Sequence, residues 1–220
     1  MPGYRTQISQ VALCGHVYQI RGLSDRSQYA DPQGHADRAG ISSAQWGLFG
    51  QIWPAGRVLA ESLCSMDLSG RRILELGCGL ALSSLMLARR GADITASDNH
   101  PLAEQFLAYN AGLNQLPMPV YRDLPWLDSG AELGQFDLIL GSDILYEREH
   151  AAILAALLQR MSTATAEIII SDPGRGNGGR LITALAAVGF GVIETRMAFS
   201  ADDSAPFKGR LLHFRRPAVC

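Results

Sequence analysis

The sequence predicts an α/β protein with a mostly parallel sheet, and three observations point to it. Short apolar runs with no helical period, such as 73–76 and 136–142, alternate with segments whose apolar residues recur at helical spacing. A glycine turn, Gly77-Cys78-Gly79, joins the first of these strands to the helix that follows. Two final strand-like runs, 190–199 and 208–215, are separated by a loop too short for a crossover helix, so they must pair as an antiparallel hairpin.

The N-terminal region predicts a β-hairpin over residues 4–23, followed by a polar segment over 24–43. His16 lies in the Cys-Gly-His turn of this hairpin, so a structural role in the turn is favoured over a catalytic role for this residue. The polar segment is either a lid or binding loop, or a disordered arm, and the sequence favours neither. The predicted division of the chain is therefore 1–45, hairpin and possible lid, and 46–220, the main α/β domain.

After this region, helices and strands alternate along the chain. The predicted helices, identified by apolar spacing and end signals, cover residues 54–66, 80–90, 101–114, 149–161 and a last segment that ends at 188. The predicted buried strands between them cover residues 73–76, 92–97, 118–121, 136–142 and 167–171. Pro54 suits a first helical turn and Gly91 a helix end. In such a sheet, residues at the carboxyl ends of the strands face the ligand crevice.

The glycine turn after the first buried strand predicts a cofactor cradle. Gly77 and Gly79 let the backbone approach a ligand and direct free N–H groups at it. A dinucleotide fingerprint would need a third glycine where Leu82 stands, and the carboxylate of Glu75 would repel a pyrophosphate. That carboxylate would instead attract an ammonium, such as the one on S-adenosylmethionine (SAM). Asp98 closes the next strand 23 positions after Glu75, where a carboxylate that holds a ribose is expected.

With these residues the sequence resembles the seven-strand, SAM-dependent methyltransferases, and more closely the branch that includes small protein-lysine methyltransferases. Further likeness lies in 52–55, Ile-Trp-Pro-Ala, in 123–126, Asp-Leu-Pro-Trp, and in 141–147, which is similar to the branch's Asp-x-x-Tyr signature. Residues 172–175, Asp-Pro-Gly-Arg, are similar to a stretch in electron-transfer-flavoprotein lysine methyltransferases. The resemblance runs from about Val11 to nearly the C-terminus and implies a Rossmann-like seven-strand sheet.

The resemblance and the strand ends together give the candidate site residues. Asp143 and Tyr146 follow a buried strand into the crevice, so we expect them to act on the methyl acceptor. Asp143, as a bare carboxylate, would orient an amine, while Tyr146 and Trp53 would exclude water from it. The residues expected to bind the cofactor, including an adenine-contacting pair Asp123 and Trp126, are Trp53, Glu75, Gly77, Cys78, Gly79, Asp98, Asn99, Asp123, Trp126 and Ser142.

Several of these residues have a structural alternative that the sequence leaves open. The two tryptophans are also typical of core packing, Asp123 of a solvated turn, and Asn99 of a helix cap. Asp143 would equally tie down its turn, with Tyr146 packed on the next helix. The glycine-rich residues 174–180 lack the Gly-Lys-Ser/Thr of a phosphate-binding loop, so we interpret them as a strand-to-helix turn beside the acceptor.

Composition narrows the partners. The formal net charge of −2 over 220 residues gives no basic field for nucleic acid. No run approaches the roughly 20 apolar residues that a membrane-spanning helix needs. Cys14, Cys64, Cys78 and Cys220 show neither Cys-x-x-Cys nor histidine spacing, which argues against a zinc site and against disulfides. We therefore expect a soluble, cytoplasmic monomer without a metal.

The function predicted on these grounds is a SAM-dependent N-methyltransferase acting on a protein side chain, namely lysine. An alternative acceptor is a small amine or another metabolite, and the sequence does not distinguish well between such an acceptor and a protein acceptor. Two further hypotheses are an NAD-binding oxidoreductase and a catalytically silent SAM-binding module. Leu82, Glu75 and the C-terminal hairpin argue against the oxidoreductase.

Overall fold

The computed structural model describes residues 4–24, 34, 38, 40, 41, 43–128, 130–197 and 208–216. Its strands are β1 (Thr6–Leu13), β2 (His16–Leu23), β3 (Arg72–Leu76), β4 (Asp93–Asp98), β5 (Val120–Asp123), β6 (Phe136–Ser142), β7 (Ser162–Asp172), β8 (Gly191–Arg196) and β9 (Arg210–Arg215). Its helices are α1 (Ser43–Trp46), α2 (Pro54–Ser62), α3 (Leu82–Arg89), α4 (Ala103–Leu113), α5 (His150–Met161) and α6 (Gly178–Ala186). None of these helices is long and apolar enough to cross a bilayer. Most of the lid predicted for 24–43 falls outside the described residues, and the lid stays a prediction.

Seven strands form one sheet in the order β5-β4-β3-β6-β7-β9-β8. Strands β3 to β7 run parallel, whereas β9 is antiparallel to both of its neighbours, β7 and β8. The predicted mostly parallel sheet with a C-terminal antiparallel hairpin is thus confirmed. Because the chain proceeds in opposite directions from β3 and from β6, the topological switch point lies between these two adjacent strands. A ligand crevice is expected at their carboxyl ends.

The sheet separates two hydrophobic cores because its central strands are buried on both faces. Ile73 of β3 packs with the hairpin, α2, α3 and α4, whereas Leu74 and Leu76 pack on the opposite face with α5 and α6. In β6, Leu138 joins the first core and Ile139 the second. All five side chains are 0% exposed, which explains why these strands read as continuous apolar runs.

The predicted N-terminal hairpin is confirmed, with β1 and β2 paired antiparallel from Thr6 and Leu23 to the turn. Its second strand, β2, docks on the C-terminal end of α4 through two asparagine amides. Asn114 accepts from the N–H of Gln19 at 2.9 Å and donates to its carbonyl at 2.8 Å. Asn110 makes the same pair of bonds with Arg21, at 2.8 and 3.3 Å. Four helical residues and two strand residues both span about 6 Å, so the two amides match the spacing of β2.

Several element ends differ from the prediction by a few residues, and three of these differences have consequences for the fold. Helix α2 ends at Ser62 and not at 66, because Leu63 closes a tight turn by donating its N–H to the carbonyl three residues before it. Strand β5 extends to Asp123, so this residue lies in the strand and not in the loop after it. Strand β7 begins at Ser162, five residues earlier than predicted, and pairs with β6 there across a register shift.

A disulfide joins Cys14, in the hairpin turn, to Cys64, just after α2. The prediction that the cysteines form no disulfide is wrong for this pair. Their separation of 50 positions carries no sequence signal, and they meet because the hairpin folds onto the end of α2. Cys78 is a free, buried thiol, and Cys220 lies outside the described residues.

Candidate active site

A cleft opens at the carboxyl ends of β3, β4 and β6 and encloses about 1010 Å³, counting the space open to solvent. Eleven of the twelve residues predicted for the site line it: Trp53, Glu75, Gly77, Cys78, Gly79, Asp98, Asn99, Trp126, Ser142, Asp143 and Tyr146. The twelfth, Asp123, is the register partner of Asp98 in the neighbouring strand and lies outside the lining. His16 is exposed on the hairpin and does not line the cleft either.

The glycine turn lines the cleft, and both of its glycines have a positive φ, but only Gly77 also lacks the space for a side chain. Gly77 has φ +61, and a Cβ on it would lie 2.9 Å from Cγ2 of Ile144, so neither backbone nor space admits a side chain. Gly79 has φ +54, but no atom lies within 4 Å of its Cβ position, which is open space. Cys78 between them donates its N–H to the carbonyl of Ser97 at 2.9 Å, which ties the turn to β4.

Glu75, at the end of β3, is bound to the start of α3. Its Oε2 accepts hydrogen bonds from both the N–H and the hydroxyl of Ser84. The side chain is only 2% exposed, and this burial raises the pKa of Glu75 to about 7, although the bonds from Ser84 oppose the rise. A cationic group that entered the cleft would therefore meet a carboxyl group that readily loses its proton.

Asp98, at the end of β4, is held by two backbone donors. Its Oδ2 accepts from the N–H of Gly79 at 2.8 Å and its Oδ1 from the N–H of His100 at 2.9 Å. Burial raises the pKa of Asp98 against these bonds, and the charge of Asp123 adds to the rise. Asn99 is exposed in the lining and does not cap α4, which has no side-chain cap. Of its two predicted roles, contact with a ligand remains.

One wall of the cleft comes from the chain between α1 and α2. The indole of Trp53 donates to the carbonyl of Leu48 at 2.8 Å. Trp53 directly precedes Pro54, the first residue of α2. In α1, Gln45 donates to the carboxylate of Glu147 at 2.6 Å and so links the wall to the loop after β6. This bridge was not foreseen, because its residues are 102 positions apart and only the tertiary fold brings them together.

A second unforeseen contact supports the same wall. Phe49 lies stacked on the ring of His100, with centroids 3.9 Å apart, and the ring of Trp46 lies tilted against that of His100 with centroids 4.3 Å apart. His100 directly follows the Asp98-Asn99 pair at the end of β4. The aromatic cluster in residues 46–53 was the available signal, but it does not specify its partner.

Tyr146, Trp126 and His150 form an aromatic group, and the first two of them line the cleft. The ring of His150 meets Tyr146 edge-on at 4.4 Å and Trp126 edge-on at 4.8 Å. Burial, and then the charges of Asp98, Glu147 and Asp143, raise the pKa of Tyr146, whereas burial lowers the pKa of His150. The tyrosine is therefore a neutral phenol and the histidine a neutral imidazole at pH 7.

Asp143 occupies a turn position with φ +53, which is uncommon for a residue with a side chain. Its N–H donates to the carbonyl of Ser171 at 2.9 Å. Its carboxylate accepts two hydrogen bonds from Arg175, from Nε to Oδ1 and from Nη2 to Oδ2, both at 2.6 Å. The expectation of a bare carboxylate at this position is therefore wrong. Asp143 also does not cap α5, which has no side-chain cap.

Arg175 lies in the turn between β7 and α6, as predicted, but only residues 174–177 of the predicted turn 174–180 belong to it, because α6 begins at Gly178. Two bonds fix the ends of this turn. Gly174 donates its N–H to Asp172 at 2.9 Å, and Asn177 donates to the carbonyl of Leu145 at 2.9 Å. The loops after β6 and β7 thus form one connected structure. The Asp-Pro-Gly-Arg resemblance was the signal for Arg175, but it did not name Asp143 as the partner.

Solved structures share the fold. A putative SAM-dependent methyltransferase from Streptococcus mutans matches with a TM-score of 0.67 over 95% of this chain and 55% of that one, at 12% identity. Magnesium protoporphyrin IX methyltransferase from Synechocystis, solved with bound SAM, matches with a TM-score of 0.59 over 86% and 93% of the two chains, at 19% identity. At such identities the likeness establishes the methyltransferase fold and nothing finer.

Sequence relatives narrow the family. The electron transfer flavoprotein beta subunit lysine methyltransferase of Danio rerio is 34% identical over 135 residues, which cover 59% of this chain and 50% of that protein. Protein N-lysine methyltransferase METTL21A of Danio rerio is 33% identical over 135 residues, with 57% and 61% covered. The chain thus matches half to three fifths of the length of these relatives. A family model described as lysine methyltransferase matches residues 42–178, which include Arg175 and every residue lining the cleft except Ile41. The chain belongs to the lysine methyltransferase family.

Proposed function

We propose that this protein is a SAM-dependent N-methyltransferase whose acceptor is a lysine side chain of another protein. The observation that carries the proposal is the position of Asp143 and Tyr146 in the same cleft as Gly77, Gly79 and Asp98. The family match supports it, as do relatives named for lysine methylation of proteins. The matches cover only 50% and 61% of these two relatives, so their acceptors do not carry over directly and the lysine acceptor is a proposal for this chain.

The cleft fits SAM in three respects. Gly79 leaves open space over its backbone, the buried carboxylate of Asp98 can accept from ribose hydroxyls, and Glu75 offers a carboxylate to the ammonium. When bound, SAM supplies a methyl group on a sulfonium, whose carbon–sulfur bond breaks as an acceptor nitrogen attacks. The further residues proposed to hold it are Trp53, Gly77, Cys78, Asn99, Trp126 and Ser142, which line the cleft, and Asp123, which lies outside the lining beside Asp98.

The acceptor amine must lose its proton before it can attack. A free lysine, with a pKa near 10.4, is only about 0.04% neutral at pH 7, a handicap of roughly 4.6 kcal/mol. Trp53 and Tyr146 reduce the water around the entering amine, and this desolvation favours its neutral form. Asp143 orients the amine, and Tyr146, a neutral phenol, can donate a hydrogen bond beside it. The proton can leave to water before the acceptor enters.

We also propose a cytoplasmic monomer without nucleic-acid or membrane partners. The formal net charge of −2 supports the absence of a nucleic-acid partner. The Cys14–Cys64 disulfide is unusual for a reducing compartment and is the observation against a cytoplasmic location. Thiol alkylation of the protein as it is taken from cells tests the location, and gel filtration tests the monomer.

The function is tested by incubating the pure protein with a cell extract and SAM labelled in its methyl group. Label recovered as methyllysine in the protein fraction supports the proposal. Label confined to the small-molecule fraction would replace the protein acceptor with a metabolite. An absence of transfer despite SAM binding would leave a catalytically silent SAM-binding module.

The roles of the site residues are tested by Asp143→Asn, with the exposed Asp67→Asn as its matched control. Turnover of Asp143→Asn should fall at least tenfold, or ~1.4 kcal/mol in the barrier, while SAM affinity stays unchanged. The control should keep wild-type turnover. A loss of SAM affinity and melting temperature together with activity would assign Asp143 to the turn alone.

A further inference from the structure

Asp143 lines the cleft, whereas its ion-pair partner Arg175 is not among the residues lining it. The carboxylate lines the cleft, and its side chain is only 10% exposed. Arg175 approaches it from the β7–α6 turn, and its side chain is 38% exposed. Nε and Nη2 take one carboxylate oxygen each, at 2.6 Å, in the bidentate geometry that makes such pairs strong. The outer lone pairs of the same oxygens remain available to a group in the cleft.

The other charges around this position are engaged elsewhere. The titratable groups that face Asp143 and its neighbour Tyr146 from the surrounding elements are Asp98, Glu147, His150, Asp172 and Arg175. Glu147 accepts from Gln45 and lies 3.6 Å from His150, and Asp172 is paired with Arg210. Among the described residues, Arg175 is therefore the cation in contact with Asp143.

This pairing bears on the central difficulty of amine methylation. An uncompensated carboxylate stabilises the charged ammonium and raises the pKa of a bound amine, which opposes attack. A carboxylate whose charge is already balanced still accepts a hydrogen bond from an amine N–H, but it stabilises the protonated form much less. An arginine paired with the carboxylate thus separates orientation of the amine from protonation of the amine.

We propose that Arg175 is a positioning residue for methyl transfer: its guanidinium balances the charge of Asp143, so that the acceptor amine is oriented by this carboxylate and bound in its uncharged, nucleophilic form. The inference rests on the proposed function, since it assumes an amine acceptor in this cleft. It assigns no contact with the substrate to Arg175, which acts through Asp143.

The first test uses n-butylamine as a probe of the lysine side chain, with the demethylated cofactor product present, at pH 7. Arg175→Gln should bind butylammonium at least about fivefold more tightly than the wild type, because its Asp143 is uncompensated. Arg175→Lys, which keeps the charge, should bind it nearly as weakly as the wild type. Arg180→Gln, the same change at an exposed residue of α6, is the control and should bind like the wild type.

The second test measures methyl transfer to the protein that the extract experiment labels, once purified. For Arg175→Gln at pH 7, both KM and kcat should fall, kcat by about tenfold, because the bound amine stays protonated. The difference in kcat should shrink as the pH rises from 7 toward 10, because an increasing fraction of the amine is then neutral in solution. Arg175→Lys should restore most of the turnover, and SAM affinity should be equal in all variants.

Three results would overturn the inference. A loss of kcat that is the same at every pH would give Arg175 a structural role, and a rise in kcat would make it an obstacle that the acceptor displaces. Unchanged butylammonium binding in Arg175→Gln would show that the pair does not control the charge at Asp143. If the wild type labels no protein, the lysine proposal has failed, whereas the butylammonium comparison still decides the role of the pair.

Discussion

Glu75 and Ser84 are joined by two hydrogen bonds to a single carboxylate oxygen, one from the backbone N–H and one from the hydroxyl. Through these bonds the buried side chain of Glu75 links the end of β3 to the first turn of α3. The positive end of α3 favours the ionised carboxylate, and burial opposes it. Burial has the larger effect, because the pKa of Glu75 is raised to about 7.

We predict that SAM binding releases a proton from Glu75. At pH 6.5, an acid with a pKa of about 7 is roughly three quarters protonated, and the entering ammonium favours its ionised form. The calorimetric enthalpy of binding should therefore depend on the ionisation enthalpy of the buffer. In Glu75→Gln this dependence should disappear. An equal dependence in both proteins would place the proton elsewhere.

The same group gives a pH dependence of stability with a definite sign. Because the folded pKa of about 7 lies above the reference value of 4.5, the stabilising effect of protonated Glu75 is complete below about pH 4.5 and is lost as pH rises through 7. Compared with Glu75→Gln, the wild type should thus lose melting temperature between pH 5 and 8. Thermal unfolding of the two proteins across this range measures the difference.

Gly77→Ala should damage both stability and cofactor binding. Its φ of +61 costs about 1 kcal/mol or more for alanine, and the new Cβ would press on Ile144, which lies next to Asp143. Gly91→Ala is the matched control, since its φ is +71 but no atom lies within 4 Å of its Cβ position. The control should lose melting temperature and keep SAM affinity. Equal SAM affinities in calorimetry would show that the Ile144 contact is unimportant.

Asp98→Ala should weaken SAM binding by roughly 2–3 kcal/mol, through the loss of charge-assisted hydrogen bonds to the ribose. The variant also leaves the N–H of Gly79 without the acceptor that it has at 2.8 Å. Binding of the demethylated product should weaken equally, because both ligands carry the same ribose. Calorimetry on both ligands measures this, and undiminished affinity would remove Asp98 from the site.

Breaking the Cys14–Cys64 disulfide should lower stability by up to about 4 kcal/mol, since it closes a loop of about 50 residues in the unfolded chain. A reductant should lower the melting temperature of the wild type and leave that of the Cys14→Ser, Cys64→Ser double variant unchanged. SAM affinity should be equal in both forms, because neither cysteine lines the cleft. A wild type insensitive to reductant would show that the bond does not form.

The strands and the cofactor turn were predictable because their signals are local. The two-sided burial of Ile73 to Leu76 is written in consecutive residues, and the glycine turn follows directly. The pairs that complete the site were not predictable in this way. Asp143 and Arg175 are 32 positions apart, and only the parallel order of β6 and β7 brings their loops together. Family resemblance indicated that each stretch matters, but it did not indicate which side chains meet.

The asparagine pair on α4 also decides what can attach to the N-terminal hairpin. Asn110 and Asn114 satisfy the outward N–H and C=O groups of Gln19 and Arg21, as a neighbouring strand would. A peptide that recognises proteins by adding a strand would find this side of β2 already occupied. The same arrangement protects β2 of the folded protein from edge-to-edge association, because the polar groups of this edge already have partners. The hairpin is thus attached to the body of the protein by helix side chains and is kept out of the main sheet.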